Sequence, residues 1–304
     1  MKKFFLLLLL FLAACAPQNT QPAGTVDLSD LQPLPTPAGY EFVPLRLAVA
    51  AVISPKGTLE SYSPFIEYIE KKLNRPIELI QRRTYLEVND LLEHGEVDVA
   101  FVCTSAYVEG HDTFGMELLA APQVDGKIVY NSILIVPADS PAQNMTDLRG
   151  KVFAFTDPIS LSGRVYPTSM IHALHFTPEE FFSRTFFTYS HDEAIRAVAN
   201  KVTDGAAVDS LVLQFALERD SALKDKIRVI HISPDFGIPP VVVSPFTRPQ
   251  VKMEIQSLLL GMSSDPDARE ALAAMGVDQF VLIEDRAYDS VRGLLLEIPL
   301  PITP

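Results

Sequence analysis

The chain has 304 residues, 48% hydrophobic and 21% charged, with 25 basic against 38 acidic side chains and a formal charge of −13. Its apolar content supports a sizeable core and excludes disorder over most of its length, because disorder needs low hydrophobicity along with high charge. The acidic balance excludes a general nucleic-acid or anionic-membrane binder but not a small anion site, and two cysteines exclude a disulfide scaffold or a four-cysteine metal centre.

Met1-Lys2-Lys3 is a short positive segment and Phe4 to Ala14 an unbroken apolar run. That run is about half of the ~20 residues needed to span a bilayer, the length of a signal-peptide core. It ends in Leu12-Ala13-Ala14-Cys15, which resembles the lipobox of bacterial lipoproteins. The resemblance implies cleavage after residue 14 and acylation of Cys15, which would anchor the chain to a membrane. An ordinary secretory signal ending near a cysteine is the alternative. Cleavage would remove two lysines, leaving 23 basic residues against 38 acidic ones and Cys103 as the remaining free thiol. Residues 16–40, rich in Pro, Gln, Thr and Gly, read as an extended tether.

From Leu45 the two hydrophobic periods alternate. Arg46–Val52 reads as a buried strand. Tyr62, Phe65, Ile66, Ile69 and Leu73 then fall at helical spacing, with Pro64 expected in the first turn. Pro76–Ile80 is a second strand. Tyr85, Val88, Leu91 and Leu92 mark a second helix closed by Gly95, and Val97–Val102 is a third strand. Further strand–helix alternation runs from Lys151 to about Ser233, with helices after Arg248 and Asp265. This pattern predicts parallel sheets covered by helices on both faces, in two units around a cleft. Sheets of this kind bind ligands beyond the carboxyl ends of their strands.

Three such loops carry candidate chemistry. In Thr156-Asp157-Pro158-Ile159-Ser160-Leu161-Ser162-Gly163, the serine hydroxyls and the free N–H groups of a helix start can cradle an oxyanion, or Ser160 is a plain N-cap. In Tyr189-Ser190-His191-Asp192-Glu193, His191 can donate to an anion or titrate near neutrality, or it is a surface or capping residue. In Asp204–Ser210, Asp209 ends a short buried strand and either accepts from a ligand or caps the next helix.

These residues carry a resemblance. Asp157-Pro158-x-Ser160-x-Ser162-Gly163 with Pro167, followed by Ser190-His191-Asp192 with Ala197-Val198, resembles the phosphate/phosphite/phosphonate-binding lipoproteins of ABC importers, the PhnD family. Tyr62-x-Pro64, Gly95-x-Val97-Asp98-Val99-Ala100, Tyr130-x-Ser132 before Ile133–Val136, and Asp139-Ser140 with Asp147-Leu148-x-Gly150-Lys151 agree in order over roughly residues 45–245. The resemblance implies an α/β, two-lobe periplasmic-binding-protein-like fold of type II. Each lobe is then a mostly parallel sheet flanked by helices, with ligand in the interlobe cleft. The expected division is 1–14 signal peptide, 15–40 lipidated Cys15 and tether, 41–136 plus 243–304 lobe 1, and 137–242 lobe 2.

By position, the resemblance implies that Ser160, the Leu161 backbone, Ser162 and His191 bind the oxyanion. Tyr85, expected in the loop before the second helix, and Tyr130, expected on the strand leading to the crossover, would lay hydroxyls over it. Leu161 departs from the usual Thr and removes one donor. Members that bind aminophosphonates place carboxylates where this chain has Leu211 and Pro239. A buried ammonium without a carboxylate is costly, so the expected ligand lacks a cationic amine: phosphite, phosphate or a simple alkylphosphonate. Asp209, two residues from Leu211, is the exception that can accept from a ligand.

The implied protein is extracytoplasmic, held at the membrane by its lipid, monomeric, and partnered with an ABC transporter permease. No cofactor, metal, nucleic acid or enzymatic activity is expected. His172 and His175 lie three apart on a helix without an evident third ligand, and Cys103 reads as an inert buried thiol or a lining residue. Two rival readings are a ligand sensor feeding a kinase and a secreted phosphoester hydrolase using Ser160, His191 and Asp209. The hydrolase lacks a Gly-x-Ser-x-Gly elbow.

Overall fold

A computed structural model describes residues 43–298. The signal, Cys15 and tether expectations lie outside the described residues. In chain order the elements that position the site begin with β1 (Leu45–Val49), α1 (Pro55–Leu73), β2 (Ile77–Gln81), α2 (Tyr85–Glu93) and β3 (Val99–Phe101). Then come α3 (Thr104–Phe114), β4 (Glu117–Gln123), β5 (Val129–Tyr130), β6 (Ser132–Pro137) and β7 (Val152–Phe155). A π turn, Leu161–Val165, leads into α4 (Tyr166–His172), followed by α5 (Pro178–Phe181), β8 (Arg184–Phe187), α6 (His191–Ala199), β9 (Gly205–Asp209) and α7 (Ser210–Arg219). The remainder is β10 (Ile227–Ile232), β11 (Phe236–Gly237), β12 (Val241–Val243), α8 (Pro249–Gly261), α9 (Arg269–Met275), β13 (Gln279–Val281) and α10 (Asp289–Glu297).

Two sheets organise these elements, ordered β13-β4-β12-β3-β1-β2 and β10-β6-β9-β7-β8. Each has a parallel core, β2-β1-β3 or β8-β7-β9. Each then takes in an antiparallel strand that arrives from the other lobe, β12 or β6. The expectation of mostly parallel sheets therefore holds for those cores only, because the chain enters the second lobe and returns to the first against the direction of the local strands. β5 and β11 belong to neither sheet. They pair antiparallel, Tyr130 with Phe236 and Val129 with Gly237, so the two crossings form one ribbon. Sheet membership moves both expected lobe boundaries, from 136/137 and 242/243 into the connections 124–131 and 233–240.

The strands alternate as their neighbours require. Leu45, Leu47 and Val49 pack with Phe65, Ile69 and Leu259 on one face of the first sheet, while Ala48 joins Tyr85, Val88 and Leu92 on the other. In the second sheet Ile133 and Ile135 pack with Ile195 and Val198, and Leu134 and Val136 with Phe153 and Ile171. Covering both faces explains why these strands read as continuous apolar runs.

Helix α1 starts earlier than the hydrophobic spacing predicted. Ser54 is its N-cap and Pro55 its first residue, so Pro64 lies inside the helix and not in its first turn. Ser-Pro is a start signal in its own right, but residues 55–61 carry too weak an apolar stripe to extend the period. Among the described residues no helix is long and apolar enough to cross a membrane.

Candidate functional site

The β7–α4 loop is shaped by its own polar residues. Asp157 Oδ1 accepts the Ile159 N–H at 2.9 Å, and Ser160 Oγ accepts the Gly163 N–H at 3.1 Å. The Ser160 carbonyl accepts from both Arg164 and Val165, which widens the first turn into π geometry, a local feature often found at functional sites. Ser160 is thus the N-cap of that turn, and its hydroxyl hydrogen remains to donate. At Gly163 any Cβ would overlap the Thr156 side chain, so glycine is required by that close approach. Ser162 is buried, and its Oγ has no hydrogen-bond partner.

Facing this loop are two tyrosines. Tyr85 is the first residue of α2 and not in the loop before it, below the Thr84 N-cap and its capping box with Glu87. Tyr130 lies on the crossover ribbon itself. Both are fully buried, and neither hydroxyl makes a hydrogen bond of good geometry, although Thr104 and Ser162 lie within reach of the Tyr130 hydroxyl. Burial pushes both phenols well above their usual value, so they stay protonated donors. Tyr85 lies within electrostatic range of Cys103, Asp209 and Tyr130, and Tyr130 within range of Cys103 and Asp209. The four side chains therefore share one neighbourhood. The Leu161 N–H and the Ser105 hydroxyl lean on the Cys103 thiol, which burial pushes up, so Cys103 is an inert wall of this neighbourhood. Unpartnered buried hydroxyls cost about 1–3 kcal/mol each, and Tyr85, Tyr130 and Ser162 accept that cost.

His191 and Asp209 meet differently from the expectation. The Asp209 backbone N–H donates to His191 Nδ1 at 3.0 Å, which leaves Nε2 as the ring N–H. Burial pushes the His191 pKa down to about 3, so the ring is neutral near pH 7 and does not titrate there. Asp209 Oδ1 accepts the Leu211 and Val212 N–H groups at 2.7 and 3.3 Å, capping α7. Burial raises its carboxyl to about 7 against those bonds. Because His191 is held by a backbone N–H and the Ser160 hydroxyl oxygen by Gly163, the three do not form the relay a hydrolase would need.

Asp209 also borders a cleft of about 170 Å³ that Leu211 and Pro239 line with it. The two lobes meet across several polar bonds. Asp157 Oδ2 accepts the Tyr85 N–H at 3.1 Å, and the Val52 carbonyl accepts the His191 N–H at 2.9 Å. Ser54 donates its N–H and its hydroxyl to Asp192 at 2.8 and 2.6 Å. Ser105 Oγ donates to the Ile159 carbonyl. Sequence reading did not assign roles to Ser54, Asp157, Asp192 or Ser105. Asp157 and Asp192 stand inside the quoted motifs, but nothing local shows that their partners lie on the other lobe.

The family model described as ABC transporter, phosphonate, periplasmic substrate-binding protein matches residues 47–288. The chain belongs to this family. It is thus an extracytoplasmic substrate-binding protein of an ABC transporter, with the type II fold expected from the sequence. It is 25% identical over 257 residues to the phosphonates-binding periplasmic protein of Escherichia coli (strain K12), covering 83% of this chain and 76% of that one. It is 30% identical over 181 residues to the phosphate-import protein PhnD of Mycolicibacterium smegmatis, covering 56% of each. In fold it is similar to PhnD1 of Prochlorococcus marinus (MIT 9301), solved in complex with methylphosphonate, with a TM-score of 0.74 and 16% identity over 84% of this chain and 97% of that one.

Proposed function

We propose that this protein captures a phosphorus oxyanion without a cationic amine (phosphite, phosphate or an alkylphosphonate) by closing its lobes, and presents it to an importer permease. The observation that carries this reading is the set of unpartnered buried hydroxyls on Tyr85, Tyr130 and Ser162. Neutral donors replace an anion's hydration shell without a counter-charge, and hydrogen bonds to a charged group are stronger than neutral ones. His191 Nε2–H and the Ser160 hydroxyl are further donors in the same loops. Ser160, Ser162 and His191 come from lobe 2, Tyr85 from lobe 1 and Tyr130 from the ribbon, so the anion favours the closed arrangement by touching both sides. The relatives' names, one phosphonates-binding and one phosphate-import, support the substrate class. The lipobox-like Leu12-Ala13-Ala14-Cys15 supports tethering through Cys15.

A thermal-shift panel of phosphate, phosphite, methylphosphonate, 2-aminoethylphosphonate and sulfate tests the reading. A phosphorus oxyanion present at 100 times its Kd should stabilise the protein by about 2.7 kcal/mol. A response to sulfate alone, or to none of the panel, overturns the substrate class. A response confined to 2-aminoethylphosphonate overturns the exclusion of an amine.

A further inference from the structure

One contact between the lobes has no part in holding the oxyanion. The Arg83 guanidinium, from the β2–α2 loop of lobe 1, lies over the Tyr189 ring of lobe 2, 3.9 Å from its centroid. A cation over an aromatic face at that distance is attracted by the ring. Arg83 stands two residues before Tyr85, and Tyr189 two residues before His191. The stack therefore flanks the bond from the Tyr85 N–H to Asp157 and forms the lip of the candidate site.

Tyr189 adopts an unusual backbone to make it. Its φ is 60°, in the left-handed region that disfavours a bulky aromatic residue. The turn is tied down on both sides. The Phe155 and Thr156 carbonyls accept the Thr188 and Tyr189 N–H groups at 2.9 and 2.7 Å, and the Thr188 hydroxyl donates to the Ser190 carbonyl at 2.8 Å. Phe187 backs the ring, centroids 6.0 Å apart. Strain kept beside a binding site is a sign that the conformation serves that site.

Arg83 is exposed, and no carboxylate claims it. Among the described residues the arginine ion pairs use Arg46, Arg164, Arg196, Arg219, Arg286 and Arg292. Its neighbour Arg82 is also exposed and donates to the Gln81 carbonyl at 3.0 Å. Glu87, the nearby acid, is taken up by the Thr84 N–H and hydroxyl. Two positive charges thus stand at the rim of a chain whose formal charge is −13. Screening confines such fields to about 8 Å at physiological salt, so an approaching anion meets the charge of the lip and not that of the whole surface.

We propose that Arg83 is a positioning residue for anion capture that acts twice. With the lobes apart, its guanidinium draws the anion to the gap. As the lobes meet, it stacks on Tyr189 and shuts the lip beside Tyr85 and His191. The proposal rests on the oxyanion reading above and adds to it the group that governs entry and release. Tyr189 carries no charge and acts on release alone.

Stopped-flow binding of phosphate and of methylphosphonate, followed by tyrosine fluorescence in a chain without tryptophan, separates the two actions. Arg83→Gln should slow association about two- to fivefold at low salt, with the effect fading at high salt. It should also speed dissociation about three- to tenfold, the range of one cation–π contact. Arg83→Lys keeps the charge but loses the planar face, so only its dissociation should quicken. Tyr189→Asn, which suits a left-handed backbone, should leave association unchanged and speed dissociation by the same factor, while Tyr189→Phe should match the parent. Slower association that is equal at low and high salt overturns the charge role. Parental rates in both Arg83→Gln and Tyr189→Asn, with methylphosphonate or phosphate still bound, overturn the proposal and leave the oxyanion reading standing. If neither anion binds the parent protein, the oxyanion reading fails and takes this proposal with it.

Discussion

The two lobes share a strand order but not a task. In each sheet the second, first and third strands run parallel and an incoming strand follows antiparallel. The loops at the strand ends differ. After β7, β8 and β9, lobe 2 places Ser160, His191 and Asp209, each at a helix start. The corresponding loops of lobe 1 hold Ser54 at the start of α1, Tyr85 at the start of α2 and Cys103 before α3. Ser54 and the Tyr85 N–H reach across to Asp192 and Asp157. Lobe 2 therefore supplies most donors to the candidate site, and lobe 1 supplies a phenol and much of the latch. One topology has acquired two jobs through the few residues that end its strands.

This division can be broken most directly at the donors. Ser162→Ala and Tyr130→Phe should each weaken oxyanion binding by about 10- to 100-fold, as expected for a lost hydrogen bond to a charge. The melting temperature of the unliganded protein should hold or rise, because a costly unpartnered hydroxyl is removed. Calorimetry with paired melting curves reads both; a fall in stability without a loss of affinity would return these groups to the core.

A smaller effect is expected at the latch. Asp192→Asn leaves the size of the side chain but weakens its bonds to Ser54. Affinity should fall a few-fold to about tenfold, with a larger radius of gyration in the presence of ligand by small-angle scattering. An unchanged radius would mean that Ser54 and Asp192 do not hold the lobes together.

The gentlest probe is pH. The Asp209 carboxyl, raised from 3.8 to about 7 by burial, is neutral in the fold at acid pH. Its contribution is fully present below about pH 4 and is lost as pH rises through about 7. The His191 contribution has the opposite sign: lowered from 6.5 to about 3, it is present above 6.5 and lost as pH falls toward 3. Asp209→Asn should therefore gain stability relative to the parent between pH 4 and 7 and hold that gain above. Anion affinity should also fall less steeply with pH in the variant, since an ionised Asp209 repels the ligand. A difference between the two melting curves that does not change with pH would show that Asp209 stays ionised throughout.

Much of the fold could be read from the chain. Buried strands were visible because both faces are covered, and the helices followed from the spacing of Phe65, Ile69, Val88 and Leu92. The start of α1 was missed because Ser54 and Pro55 mark it before the apolar stripe begins. The ribbon of β5 and β11 was not legible, since a pair of two-residue strands separated by the whole second lobe leaves no local pattern. Within the candidate site, the Ser160–Gly163 loop, Tyr85 and Tyr130 were singled out through the family's spacing, and the choice between a neutral and a titrating His191 was not legible because burial is not a property of neighbouring residues in sequence.

What the sequence determined by itself is therefore the local and the periodic: an acidic two-lobe α/β chain, helix starts beyond the strand ends, and hydroxyls and glycine in the order of a phosphonate-binding family. The tertiary structure alone decided which groups face one another. It set His191 against the Asp209 backbone and left the hydroxyls of Tyr85, Tyr130 and Ser162 unpartnered in one neighbourhood. Those outcomes depend on desolvation and on contacts between residues far apart in the chain, and both exist only once the two lobes are folded against each other.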